Sequence, residues 1–126
     1  MARRHYTLEL ANRSLPLVRS IVESVRDTAL EMEELWTSLR TTDPEDTRHA
    51  ELSDRIREIQ ARFGGLLQEL RDLGVELKDP FQGLVDFPAE RRGQDVWLCW
   101  RLGEKDVGHW HELEAGFSGR QPIDAF

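Results

Sequence analysis

The sharpest local chemistry in the chain lies in His109-Trp110-His111. Two histidines separated by one residue on a strand point to the same face, and two imidazoles on one face can begin a metal site. If Trp110 joins an apolar face with Val96, Leu98, Trp100 and Leu102, both imidazoles land on the opposite face, beside Cys99. His109, His111 and Cys99 then offer a divalent metal such as zinc two ring nitrogens and one thiolate sulfur, with a carboxylate such as Asp86 to complete the set. The plainer reading is a pair of structural histidines. Covalent catalysis has little to work with: Cys99 lies mid-strand, where a thiol is usually an inert core group, and Ser118 has no identifiable base. Phosphate-loop and dinucleotide fingerprints are absent from the sequence.

The elements that must position these residues fall into two parts. After a capped turn at Tyr6 to Asn12, a long helix is expected to begin near Ser14, because Pro16 is tolerated in a first turn and costly further inside. Val18, Val22, Val25, Ala29, Met32, Trp36 and Leu39 then alternate in steps of four and three, the seam of one helix face. Leu52, Ile56, Ile59, Phe63, Leu66, Leu70 and Leu73 repeat the pattern, and Thr41-Thr42-Asp43-Pro44 supplies a break between them. Two equal ladders with a short connection pack antiparallel, as a coiled-coil-like hairpin spanning residues 14–73. Each helix of about 25 residues would be on the order of 37 Å long, too long for a small sheet to cover. Leu17, Ile21, Leu30 and Leu35 widen the first stripe beyond what one partner helix can bury, which implies a further covering surface: the β segment, a second copy, or both. Gly64-Gly65 interrupts the second helix and reads as local packing, and Gly74 fits a left-handed cap that ends it.

From residue 75 to 126 the pattern shortens to extended runs, Val75 to Lys78, Leu84 to Phe87, Val96 to Leu102 and His109 to Leu113. Turn-formers at Pro80 to Gly83, Pro88 to Gly93 and Gly103 to Gly108 separate them. The expectation is an α+β chain, one domain over 1–126, in which a long antiparallel helical hairpin precedes a small antiparallel sheet of three or four strands, closed by an ordered loop from Gly116 to Pro122. Bulk on both faces of Val96 to Leu102 marks it as a central strand.

Several blocks together resemble a known family. Tyr6-Thr7-Leu8 with Leu15-Pro16-Leu17-Val18, Gly83-Leu84-Val85-Asp86-Phe87-Pro88, Leu98-Cys99-Trp100-Arg101-Leu102-Gly103-Glu104, and Trp110-His111-Glu112-Leu113 with Gly116-Phe117-Ser118-Gly119-Arg120-Gln121-Pro122 resemble the bacterial family known as domain of unknown function 2203. The resemblance covers nearly the whole chain and implies the domain layout without implying a mechanism. His109 departs from the aromatic residue expected at that place.

The polar residues within those blocks, Asp86, Glu104, His111, Glu112 and Arg120, stand beside Phe87, Trp100, Trp110 and Phe117. Charged groups set among aromatics must be paired or bear a desolvation cost. A salt bridge from Arg120 to Asp86 or Glu104, pinning the tail to the sheet, is one reading. The other is a ligand pocket in which Arg120 grips a carboxylate or phosphate, His111 carries a proton and Trp100 forms a wall, with hydrolysis as the natural chemistry.

Charge and composition exclude more than they assign. A net charge of −7 repels a phosphate backbone, and Arg3-Arg4 and Arg91-Arg92 are too short and too separated to form a basic stripe. No apolar run approaches the roughly 20 residues that span a bilayer, and the N-terminus lacks the apolar core of a signal peptide, so the expected setting is cytoplasmic. The lone Cys99 agrees with a reducing compartment. Two functions stay open: a non-catalytic scaffold that self-associates as a homodimer, and a domain that binds a metal or small anion on its C-terminal β segment, a hydrolase being one form of it.

Overall fold

A computed structural model of the chain describes residues 5–126; the Arg3-Arg4 pair lies outside them. The first helix, α1, runs over Leu8–Arg40, six residues earlier than the proline suggests. Thr7 is extended and its hydroxyl oxygen accepts the Leu10 amide at 3.0 Å, a cap strong enough to set the start. Pro16 therefore sits inside the helix, at a cost of about 3 kcal/mol. Burial offsets it: Ala11, Leu15, Val18, Val22 and Val25 follow one stripe and are all buried in the core. Asn12, on the same stretch, ties α1 to the sheet by accepting the Val107 amide through Oδ1 at 2.7 Å.

The second helix, α2, spans Thr47–Asp72 and is capped by Asp46, whose carboxylate accepts the Arg48 amide at 2.9 Å. It returns antiparallel to α1: Arg55 reaches Glu31 at 2.7 Å, and the Tyr6 hydroxyl, just before α1, donates to the Leu73 carbonyl just after α2. Gly74 adopts φ +77°, and the Val75 amide closes back onto the Leu70 carbonyl, so the helix ends where expected. Gly64 and Gly65 do not mark local packing, because nothing lies within 4 Å of where a Cβ would stand at either. The buried residues of α1 stop at Ala29, and α2 buries only Ile56, Ile59 and Leu70, so the hairpin outruns the sheet. No helix among the described residues is long and apolar enough to cross a membrane.

The sheet has five antiparallel strands in sequence order, β1 (Glu76–Asp79), β2 (Leu84–Arg91), β3 (Gln94–Arg101), β4 (His109–Glu112) and β5 (Gln121–Pro122). The fifth strand comes from the tail, which also makes a 3-10 turn at Phe117–Gly119. Strand β2 continues through Pro88, where the sequence suggested a break. The Pro88 carbonyl accepts the Tyr6 amide, so its nitrogen faces that same edge, beyond the end of β1, and no ladder bond to β3 is lost. Arg92 and Gly93, at φ 52° and 79°, then make the two-residue turn that suits a twisted hairpin. Val85, Phe87, Ala89, Val96, Leu98, Trp100 and Trp110 form one core with the α1 stripe, so the helices cover a single face of the sheet.

Candidate functional site

The other face carries the chemistry. Alternation along the strands turns Asp86 of β2, Trp97 and Cys99 of β3, and His109 and His111 of β4 away from the helices. The register sets Asp86, Cys99 and His109 in one row across the sheet, and Pro88, Trp97 and His111 in the next. Asp86 and His111 therefore meet diagonally, across Cys99 and Trp97.

His111 Nε2 lies 2.9 Å from Asp86 Oδ2, and both side chains are only 3% exposed. His111 Nδ1 lies 2.8 Å from the Glu112 carbonyl oxygen. A carbonyl only accepts, so Nδ1 carries a hydrogen and donates it. Nε2 and Asp86 then share one proton between them, as imidazolium with carboxylate or as imidazole with carboxylic acid. Burial pushes the Asp86 carboxyl above the usual carboxylate range, opposed by the charge and hydrogen bond of His111. Its second oxygen, Oδ1, is buried without a conventional hydrogen-bond partner. The Cys99 thiol, a weak donor, lies against the carboxylate. Burial, reinforced by the negative charge of Asp86, pushes that thiol up to about 12, so without a metal it is protonated and inert. The donor atoms of Asp86, Cys99 and His111 all lie within 4.8 Å of one another.

The remaining residues singled out from sequence lie elsewhere. His109 turns to the tail: Arg120 donates to its Nδ1 at 2.7 Å and to both Glu104 carboxylate oxygens at 2.9 Å. Glu104 also accepts the Arg101 amide at 2.8 Å. Burial works against the Glu104 charge, but the bonds from Arg120 and the Arg101 amide outweigh it and hold the carboxyl below its usual range. Arg120 thus pairs with Glu104 and not with Asp86, and the guanidinium is also stacked 4.6 Å from the centroid of the Phe117 ring. Trp100 is in the core on the helix side, donating to the Glu104 carbonyl from beneath, and forms no wall on the outer face. Glu112 contributes its backbone carbonyl, and its side chain is exposed.

A cavity of about 230 Å³ opens over the Asp86 and His111 pair. Lys78, Leu84, Trp97, Leu113 and Phe117 line it beside them. The Lys78 ammonium stands 5.1 Å from the Trp97 ring centroid. Alternation from Cys99 puts Trp97 on this face, and Phe117 was among the aromatics set beside the polar residues; Lys78 was missed, although the outward alternation of Glu76 and Lys78 on β1 was the available signal. Among the described residues, larger hollows, one of about 580 Å³ by Thr41 and Arg48 and an apolar one of about 350 Å³ by Trp36 and Phe81, hold no comparable cluster of donors.

The chain belongs to the family described as an uncharacterized conserved protein (DUF2203), whose model matches residues 4–123. No curated protein and no solved structure matches it.

Proposed function

We propose that this member of the DUF2203 family is a metal-binding domain that holds a zinc-class divalent ion between Asp86, Cys99 and His111 on the outer face of its sheet. The observation that carries the reading is a buried set of three donors within 4.8 Å of one another, in which Asp86 Oδ1 has no conventional hydrogen-bond partner and the weak Cys99 thiol is the donor beside the carboxylate. A structural ion pair alone accounts for Oδ2 and leaves Oδ1 at a desolvation cost of about 1–3 kcal/mol. Nitrogen, thiolate and carboxylate together suit zinc and its neighbours and not magnesium or calcium. The Glu112 carbonyl fixes the His111 tautomer in the manner of an outer-shell partner, with Nε2 turned to the donors. Charge balances as well. The metal-free cluster is neutral with the thiol proton and the shared proton in place, and a divalent ion that displaces both leaves it neutral again. A reducing, cytoplasmic setting would keep Cys99 available as a thiol.

Elemental analysis of protein purified without an affinity tag tests the reading, together with melting in added zinc, iron or manganese. The expected outcome is about one ion per chain and a raised melting temperature. Protein without stoichiometric metal, whose melting is unchanged by all three ions, would overturn it.

A second reading, self-association as a homodimer, is favoured by uncovered apolar side chains on the hairpin. Leu17, Leu30 and Trp36 of α1 are 55%, 45% and 40% exposed, and Phe81 stands beside Trp36 at the apolar hollow. A clean monomer by light scattering at tens of micromolar would remove it.

A further inference from the structure

An ion in this cluster is either closed in by protein or keeps a position for something else. Among the described residues the cluster supplies three donors, Asp86, Cys99 and His111, one short of a closed tetrahedral set. Two of the three, Asp86 and His111, are also in the lining of the 230 Å³ cavity, so an ion held by them faces that space. We infer that the ion keeps an exchangeable fourth position open to the cavity, and that the cavity takes a small aromatic carboxylate whose head binds the ion there. This rests on the metal-binding reading above.

The lining argues for the ligand class. Trp97 and Phe117 offer ring surfaces, and Leu84 and Leu113 add apolar area, which fits a flat hydrocarbon body. The one cation in the lining is Lys78, whose ammonium is also 2.9 Å from Glu76 Oε1. Glu114 lines the rim as well and opposes a second negative charge, so the fit is to a monoanion rather than to a phosphate. The loaded cluster is itself neutral, so a single carboxylate on the ion adds one negative charge, which the Lys78 ammonium, shared with Glu76, offsets in part. The volume limits the occupant to about one ring with its head group.

Cobalt-substituted protein tests the inference, because the visible spectrum of Co(II) reports its coordination without any assay of activity. Azide, acetate and benzoate are titrated in turn. Each is expected to change the cobalt bands, with benzoate binding more tightly than acetate. Phe117→Ala is expected to weaken benzoate by about tenfold, the worth of a ring contact, while sparing acetate. Lys78→Ala is expected to weaken both carboxylates. Both variants are on half-exposed or exposed side chains, and cobalt stoichiometry in each shows whether the site itself survives. Cobalt bound at one per chain with a spectrum indifferent to all three probes means a closed structural site, and overturns this inference while leaving the metal site standing. Equal binding of acetate and benzoate overturns the ligand class. Failure to take up cobalt, zinc or iron at all overturns the metal site and this inference with it.

Discussion

His111 Nε2 and Asp86 Oδ2 lie 2.9 Å apart in a part of the sheet where neither side chain is more than 3% exposed. The two residues are 25 positions apart in sequence and on strands that do not touch, since β3 runs between β2 and β4. Their contact is a product of register: Asp86 pairs with Cys99, His111 with Trp97, and the diagonal brings the side chains together.

Breaking that contact from one side leaves the partner buried and uncompensated. His111→Ala is expected to lower stability by about 3–5 kcal/mol, and Asp86→Ala likewise, while the double variant costs less than the sum of the two. Urea denaturation of the metal-free protein and its three variants measures this. Additive single costs would show that the pair is not coupled.

Glu104 gives a pH signature with a definite sign. Its carboxyl is held below the usual value of 4.5 in the folded protein, so its contribution is present above that value and is lost as pH falls through the folded one. Glu104→Gln should therefore cost stability at neutral pH, and the gap to wild type should close as pH falls below about 4.5. A gap that is the same at acid and neutral pH contradicts the assigned role of Arg120.

The glycines divide into opposite predictions. Gly64→Ala and Gly65→Ala place a methyl in open space within an exposed helix, and each should stabilise by about 0.5–1 kcal/mol. Gly83→Ala should destabilise by about 1–3 kcal/mol, because Gly83 sits at φ +65° and a Cβ there would come within 2.7 Å of Leu102 Cβ and 2.9 Å of Val22 Cγ1. Thermal melts of the three variants should bracket the wild type; Gly83→Ala melting at or above it is the outcome that counts against the described turn.

Cys99 should be silent in the native protein. A fully buried thiol pushed up to about 12 leaves almost no thiolate at neutral pH, so labelling by a thiol reagent should follow unfolding. Fast labelling of native, metal-free protein contradicts the described packing.

Much of the framework was legible in the sequence, for identifiable reasons. The four-three ladders from Val18 and from Leu52 mark the hairpin because a helix face repeats every three to four residues whatever surrounds it. Pro16 and Pro88 misled for different reasons: Pro16 bears its cost inside α1, where the Thr7 cap and the buried stripe outweigh it, and Pro88 removes a donor that the ladder to β3 does not use. At Pro88 it would have faced the edge beyond β1, a fact of strand order and not of local sequence. The two residues of β5 carry no periodicity at all. Within the site, alternation placed Cys99, His109 and His111 on one face, with Asp86 as a carboxylate to complete the set, but could not tell which would turn inward. Register makes Asp86 the neighbour of Cys99 and His111, while Arg120, brought in by the tail, holds His109 outside the cluster.

Zinc affinity by chelator competition, measured on the wild type and on Asp86→Asn, Cys99→Ser and His109→Ala, tests the central claim most directly. Wild type and His109→Ala are expected to bind one ion with similar affinity, with loss of about two protons per ion, and Asp86→Asn and Cys99→Ser to bind at least about tenfold more weakly. Equal affinity in all four proteins, or a loss confined to His109→Ala, would contradict it.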